Sequence, residues 1–264
     1  MPVAGMDIGA GTAKAVILEN EEITGSAIIP VSGDINKAIE GVLAKALEKA
    51  GISRQDLEYV VATGWGRNAV TFADNTTTEI ICHAGGVHYL IPQARTIVDI
   101  GAQDSKVIRV NDRGKVADFV MNDKCAAGTG RFLEVMAHVL GVELDEMGPM
   151  SLTSKNPCDI SSTCTVFAET EVVSLRAQGK KVEDLLAGLH RSIANRVVIM
   201  GSGIRLEAET VFTGGVAKNT GVRKALEEAG GIKCIIPAEP QITGALGAAL
   251  TAQAEAGGHK SRKG

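Results

Sequence analysis

Two octapeptides in this chain have the make-up of phosphate-binding loops. Asp7-Ile8-Gly9-Ala10-Gly11-Thr12-Ala13-Lys14 and Asp99-Ile100-Gly101-Ala102-Gln103-Asp104-Ser105-Lys106 share Asp, Ile, Gly, Ala and Lys in register. The glycine permits a tight turn close to a phosphate. The small residues after it leave backbone N–H groups open to anionic oxygens. The leading aspartate is placed to hold Mg2+ through water, since that cation keeps most of its hydration shell. One such octamer alone reads as an ordinary hairpin; the pair, facing each other, reads as a nucleotide clamp. Neither is a P-loop, because no Gly-x-x-x-x-Gly-Lys-Ser/Thr occurs. Neither is a dinucleotide fingerprint, because an apolar strand and not a helix follows each turn. A third glycine turn, Thr213-Gly214-Gly215-Val216-Ala217, stands at a strand-to-helix junction where a base or ribose could lie against bare backbone.

The second chemistry-bearing group is sulfur. Of the 5 cysteines, Cys125 precedes Ala126-Ala127-Gly128-Thr129-Gly130 and a helical pattern, and Cys164 closes Ser161-Ser162-Thr163-Cys164 at another helix start. A helix N-terminus favours negative charge, so thiolates or an anionic iron–sulfur cluster would be stabilised there. The bland alternative is two buried cysteines acting as small apolar residues. No Cys-x-x-Cys occurs, so one chain lacks the usual local four-thiolate set. Two pairs brought together by a twofold axis would suffice. Cys158 is a further thiol near Cys164, and Cys82 and Cys234 sit in apolar, core-like contexts.

Each octamer needs a strand before it, a strand after it and a third strand beyond an acidic turn. Residues 3–6, 15–18 and 23–29 supply that meander around the first copy; 96–98, 107–110 and 116–121 supply it around the second. The shared surroundings point to internal duplication. Apolar spacing predicts helices over 34–50, 129–140, 163–175, 182–200, 216–229 and 243–254, and strands over 57–63, 209–213 and 233–236.

The chain has 264 residues, 45% of them hydrophobic, 22% charged and only 3% aromatic, so its core is aliphatic. That length fits one large domain or two ordinary ones. A net charge of -4 offers no pull toward nucleic acid or an anionic membrane. No signal-peptide pattern follows Met1, and apolar runs stop short of a membrane span. The expected compartment is the cytoplasm, where thiols stay reduced.

Residues 7–14, 62–68, 99–106, 121–132, 160–169 and 213–219 resemble the activator ATPases of 2-hydroxyacyl-CoA dehydratases, and the related ATPase subunits of benzoyl-CoA reductase. The likeness spans nearly the whole chain. Trp65 stands where that family usually has Tyr. The resemblance implies an α/β fold of duplicated ribonuclease H-like (actin/hexokinase/Hsp70-type) domains with a nucleotide cleft between them. The first would span 1–94 plus 242–264, the second 95–241 with the cluster cysteines. It implies a homodimer bridged by one [4Fe-4S] cluster on Cys125 and Cys164 of each subunit; Cys158 is not among the implied ligands. ATP hydrolysis would drive a low-potential electron from ferredoxin or flavodoxin into a partner iron–sulfur dehydratase or reductase. Gly9, Ala10, Gly11, Thr12, Ala13 and Lys14 would hold phosphates with Gly101, and Asp7 and Asp99 would organise Mg2+. Gln103 and Asp104 would position water. Gly214, Gly215, Gln241 and Glu146 would touch the nucleoside. A sugar kinase on the same fold, or a nucleotide-binding scaffold without turnover, remains open; neither needs Cys125 or Cys164.

Overall fold

The computed structural model describes residues 1–161, 164–204 and 206–261, with side chains of the last helix described to residue 257. By backbone contacts the chain forms two compact units. One comprises Met1–Ala94, Val110–Ala117 and Ala238–Gly264; the other comprises Arg95–Arg109 and Asp118–Pro237.

The first unit begins with the meander expected from the sequence: β1 (Val3–Ile8), β2 (Thr12–Glu19) and β3 (Glu22–Pro30). β2 pairs antiparallel with both neighbours. Helix α1 (Ile35–Ala50) follows the expected spacing. Asp34 caps it by accepting from the Asn36 N–H, and Gly51 ends it in the left-handed conformation. Its Ala38, Ile39, Val42, Leu43, Ala46 and Leu47 face inward. The chain then enters β4 (Val60–Thr63), parallel to β1, and the short β5 (Asn75–Thr76). β4 starts three residues later than the predicted strand, because Arg54–Asp56 closes a 3-10 turn capped by Ser53 just before it.

Helix α2 (Glu79–Leu90) was not legible in the sequence, where Gly85-Gly86 interrupts the pattern. The glycine is there for contact. A Cβ on Gly86 would collide with the Thr243 carbonyl of the last helix, α8 (Thr243–Ser261), and one on Gly247 would collide with the Cys82 carbonyl. α8 is built from alanine and glycine, and Ala245, Leu246, Ala248, Ala249 and Ala252 are fully buried.

The second unit repeats the plan. β6 (Thr96–Ile100), β7 (Ser105–Val110) and β8 (Val116–Asn122) form the meander, and β9 (Thr210–Thr213) and β10 (Cys234–Ile235) continue it. The sheet orders are β3-β2-β1-β4-β5 and β10-β9-β6-β7-β8, the same order read from opposite ends. In both, the first strand is antiparallel to the second and parallel to the fourth. The duplication seen in the octamers is therefore a duplication of sheets.

Helices α3 (Gly130–Leu140), α4 (Met147–Ser151), α5 (Thr165–Ala177), α6 (Val182–Gly201) and α7 (Thr220–Gly230) complete the second unit. α5 starts two residues after the predicted 163; Ser162 and Thr163 lie outside the described residues. The predicted helix over 216–229 is in fact broken. A 3-10 turn, Gly215–Lys218, precedes α7, and the Asn219 side chain accepts from the Gly221 and Val222 N–H groups, starting a new helix. Aliphatic side chains from β6, β7, β9 and α3 to α7 form one core here, around Val98, Ile100, Leu133, Met136, Leu186, Leu189 and Phe212.

Candidate functional site

The first phosphate-type loop is a hairpin turn between β1 and β2. Asp7 lies opposite Lys14 in the ladder, and the two side chains form an ion pair at 3.0 Å, both nearly buried. The Gly9 N–H donates to the Thr12 carbonyl at 3.0 Å, closing the turn. Ala10 at its tip is exposed, so the backbone around it is open to a ligand.

Three elements converge on Asp7, and two of them do so through glycine. β4 ends with Thr63 alongside Asp7. The next residue, Gly64, has φ +85, and a Cβ on it would stand 2.5 Å from Asp7 Oδ1. At the start of α8, a Cβ on Gly244 would stand 3.0 Å from Asp7 Oδ2. The cradle around this carboxylate thus depends on missing side chains. The loop after Gly64 is tied down as well: the Gly66 N–H donates to the Ile8 carbonyl at 2.8 Å, and Trp65 between the two glycines is 57% exposed.

The second loop has the same frame and a different charge. Asp99 lies opposite Lys106. Lys106 is 1% exposed, and its Nζ reaches Asp104 Oδ1 at 2.7 Å and Asp99 Oδ2 at 3.5 Å. Thr213 Oγ1 donates to Asp99 Oδ1 at 2.9 Å. Gly214 follows with φ +84, and a Cβ there would collide with the Ile100 carbonyl. Thr63-Gly64 and Thr213-Gly214 stand at equivalent ladder positions, each glycine against the Ile carbonyl of its loop, but only Thr213 bonds its aspartate; the Thr63 hydroxyl donates to the Thr77 carbonyl at 3.0 Å.

Two buried carboxylates share one lysine in the second loop, whereas one carboxylate has one lysine in the first. The second loop thus gathers two buried carboxylates at one place. That donor set suits Mg2+, which is held by one or two carboxylates and water. Asp104 is 5% exposed and bound to Lys106; Gln103 beside it is exposed.

The nucleoside candidates are divided between the units. Gly214, Gly215 and Glu146 belong to the second, Gln241 to the first. Gly215 is exposed and Gly214 half-buried, giving bare backbone at the end of β9. Glu146 is an exposed residue just before α4, and its carboxylate accepts from the Glu143 N–H at 3.4 Å. Gln241 is half-buried in the segment before α8, its N–H donating to Glu239.

Burial sorts the thiols. All five are free. Cys82 and Cys234 are buried and their thiols are pushed up to about 12, in both cases chiefly by burial. Cys158 is buried too, and burial raises it. These three are inert apolar fillers. Cys125 and Cys164 alone are partly exposed. Cys164 is the N-cap residue of α5, and Cys125 begins the loop leading into α3. Half-exposed, unpaired thiols at helix starts fit thiolate ligation of a soft or iron–sulfur centre. Among the described residues no three His, Cys, Asp or Glu side chains gather as a metal-binding set, and no helix is long and apolar enough to cross a membrane.

Sequence reasoning missed Lys106, Thr63, Gly64 and Gly244, which pack on or pair with the two loop aspartates. Lys106 was within reach, since it repeats in register with Lys14. Gly244 was not, because nothing local says that α8 starts against Asp7.

The BadF/BadG/BcrA/BcrD ATPase family matches residues 4–252. The 2-hydroxyisocaproyl-CoA dehydratase activator of Clostridioides difficile is 47% identical over 257 residues, covering 97% of this chain and 96% of the relative. The (R)-2-hydroxyglutaryl-CoA dehydratase activating ATPase of Acidaminococcus fermentans is 42% identical, covering 96% of this chain and 97% of the relative. A solved structure of the 2-hydroxyisocaproyl-CoA dehydratase activator from Clostridium difficile with bound ADPNP superposes with a TM-score of 0.94 at 46% identity, covering 99% of this chain and 98% of that one.

Proposed function

The chain belongs to the BadF/BadG/BcrA/BcrD ATPase family, and on that premise we propose that it hydrolyses ATP to drive single electrons at low potential into a partner iron–sulfur enzyme of the 2-hydroxyacyl-CoA dehydratase type. The observation that carries this reading beyond ATP hydrolysis is the sorting of the thiols: only Cys125 and Cys164 are partly exposed, each leading into a helix. A kinase of the same fold would have no use for them.

The backbone of residues 9–13 and Lys14 hold the ATP phosphates, as does Gly101. Asp7 and Asp99 organise Mg2+ through its water shell. Phosphoryl transfer needs positioning and charge stabilisation more than a strong base. Gln103, exposed at the loop, orients the attacking water. Asp104 supports it by holding Lys106, which keeps Asp99 fixed. Gly214, Gly215, Glu146 and Gln241 flank the nucleoside. By family likeness the domains divide as 1–94 with 242–264, and 95–241, whereas by backbone contacts Val110–Ala117 and the stretch from Ala238, Gln241 included, go with the first unit.

Cys125 and Cys164 are two thiolates, and a four-thiolate site needs two more. A second copy of the chain supplies them across a twofold axis, making a homodimer that shares one [4Fe-4S] cluster. The cluster, when bound, supplies one-electron chemistry at a potential sensitive to its surroundings. The electron donor is a reduced ferredoxin or flavodoxin, and the setting is the cytoplasm.

Anaerobic purification tests the reading. The expected protein is brown, contains iron and hydrolyses ATP. Cys125→Ser and Cys164→Ser should each remove the iron while leaving folding and nucleotide affinity in place. A colourless, iron-free anaerobic preparation that phosphorylates a sugar would overturn it. Anaerobic capture with ATP and a transition-state mimic then identifies the iron–sulfur partner.

A further inference from the structure

Asn122 is the last residue of β8, three positions before Cys125. Its side-chain amide donates to the Cys125 carbonyl at 2.9 Å and to the Ala127 carbonyl at 3.3 Å. The carbonyl between them is tied as well. Thr129, fully buried, donates to Ala126 from both its hydroxyl, at 2.6 Å, and its backbone N–H, at 3.1 Å. Three successive carbonyls of the Cys125 loop are therefore clamped within ten residues of chain.

The far end of this loop is fixed to the second phosphate loop. The Gly130 N–H donates to the Gly101 carbonyl at 2.8 Å, and the Arg131 N–H donates to the Ala102 carbonyl at 2.8 Å. The opening N–H groups of a helix have no partner within it; here the phosphate loop satisfies two of them in place of a capping side chain. The approach is close enough that a Cβ on Gly130 would stand 3.2 Å from the Gly101 oxygen and 3.3 Å from the Ala102 Cα. A side chain at 130 would push the two backbones apart by a few tenths of an ångström.

We propose that Asn122 is a positioning residue that makes the Cys125 loop and the second phosphate loop one mechanical body, so that nucleotide state at residues 101–104 reaches Cys125. This rests on the reading of that loop as a phosphate site. Residues 125–131 have little slack: every turn of the segment is hydrogen-bonded, at one end to Asn122 and at the other to Gly101 and Ala102. A contiguous path of this kind can carry coupling only if displacing one end displaces the other, and the Asn122 amide holds two carbonyls at the cysteine end, neither of them in the phosphate loop.

The test is hydrogen exchange on the anaerobically purified protein with ADP and with ADPNP, resolved to peptides covering 99–106 and 123–131. In the wild type, exchange over 123–131 changes several-fold between the two nucleotides, together with 99–106. Asn122→Asp is isosteric and loses the donating NH2. It should keep the ATP turnover and nucleotide affinity of the wild type and still respond over 99–106, but lose the response over 123–129. Gly130→Ala acts from the opposite end and should uncouple the same two peptides. If Asn122→Asp responds over 123–129 as the wild type does, or if the wild type does not respond there, the proposal is overturned. Iron content, measured on the same samples, separates the two ideas: an iron-free wild type that still shows the linked response refutes the electron-transfer function and leaves the clip standing.

Discussion

Lys106 shows what a single residue contributes to this chain. It is 1% exposed and serves two buried carboxylates, Asp99 and Asp104. Breaking a buried ion pair by removing one partner is far more costly than replacing the whole group with apolar side chains, because the remaining charge stays desolvated. Lys106→Met keeps the stem and removes the charge. It should lower unfolding stability by about 3–5 kcal/mol and abolish ATP turnover. Denaturant titration measures the first; a loss below about 1 kcal/mol would mean that the carboxylates rehydrate. The octamers made Lys106 visible in the sequence as the partner of Lys14, yet its second carboxylate was not legible there. Asp104 reads as a side chain for water, and only the folded hairpin turns it back onto Lys106.

At the scale of elements, the sequence announced the α1 helix and its caps, because apolar spacing, Asp34 and Gly51 are all local signals. It did not announce α2 or the length of α8. Those helices are stabilised by each other, through backbone contacts that glycine permits. Gly247 has no room for a Cβ against the Cys82 carbonyl, and Gly86 none against the Thr243 carbonyl. Gly247→Ala should therefore destabilise by about 1–3 kcal/mol, although alanine is the better helix former in isolation. It should also blunt ATP affinity, because α8 begins with Gly244 against Asp7. Thermal melting and nucleotide titration of the variant check both; an unchanged melting temperature would show that the two helices can separate freely.

On the scale of the whole molecule, two sheets of identical order carry unlike contents. The first unit surrounds one Asp–Lys pair with glycine. The second adds a second aspartate, the two accessible thiols and a helical layer. That layer is joined by His190, which lies 1% exposed on α6. Its Nδ1 is 3.0 Å from Ser151 Oγ at the end of α4, and its Nε2 is 3.3 Å from the amide of Asn219, the cap of α7. Burial depresses its pKa from 6.5 to about 4. The folded protein thus holds His190 neutral where the unfolded chain would bind a proton. Its contribution is complete above pH 6.5 and is lost as the pH falls toward 4, by about 3 kcal/mol in total. Melting followed from pH 7 to about pH 4 should show this decline, and His190→Gln, which keeps hydrogen-bonding capacity without titrating, should flatten it. An equal decline in the variant would assign the effect to other groups.

The sequence by itself determined the duplication, the strand–turn–strand frame of each loop, the family and the pair of cysteines worth attention, because each of these is written in residues close together along the chain. Tertiary structure alone decided which thiols remain accessible, which carboxylate Lys106 also serves, and which backbone carbonyls the start of α3 meets. These depend on desolvation and on approaches between segments far apart in sequence. Gly64, Gly130 and Gly244 read as turn or helix punctuation until the fold brings them against Asp7 and Gly101, where the missing side chain is the functional feature.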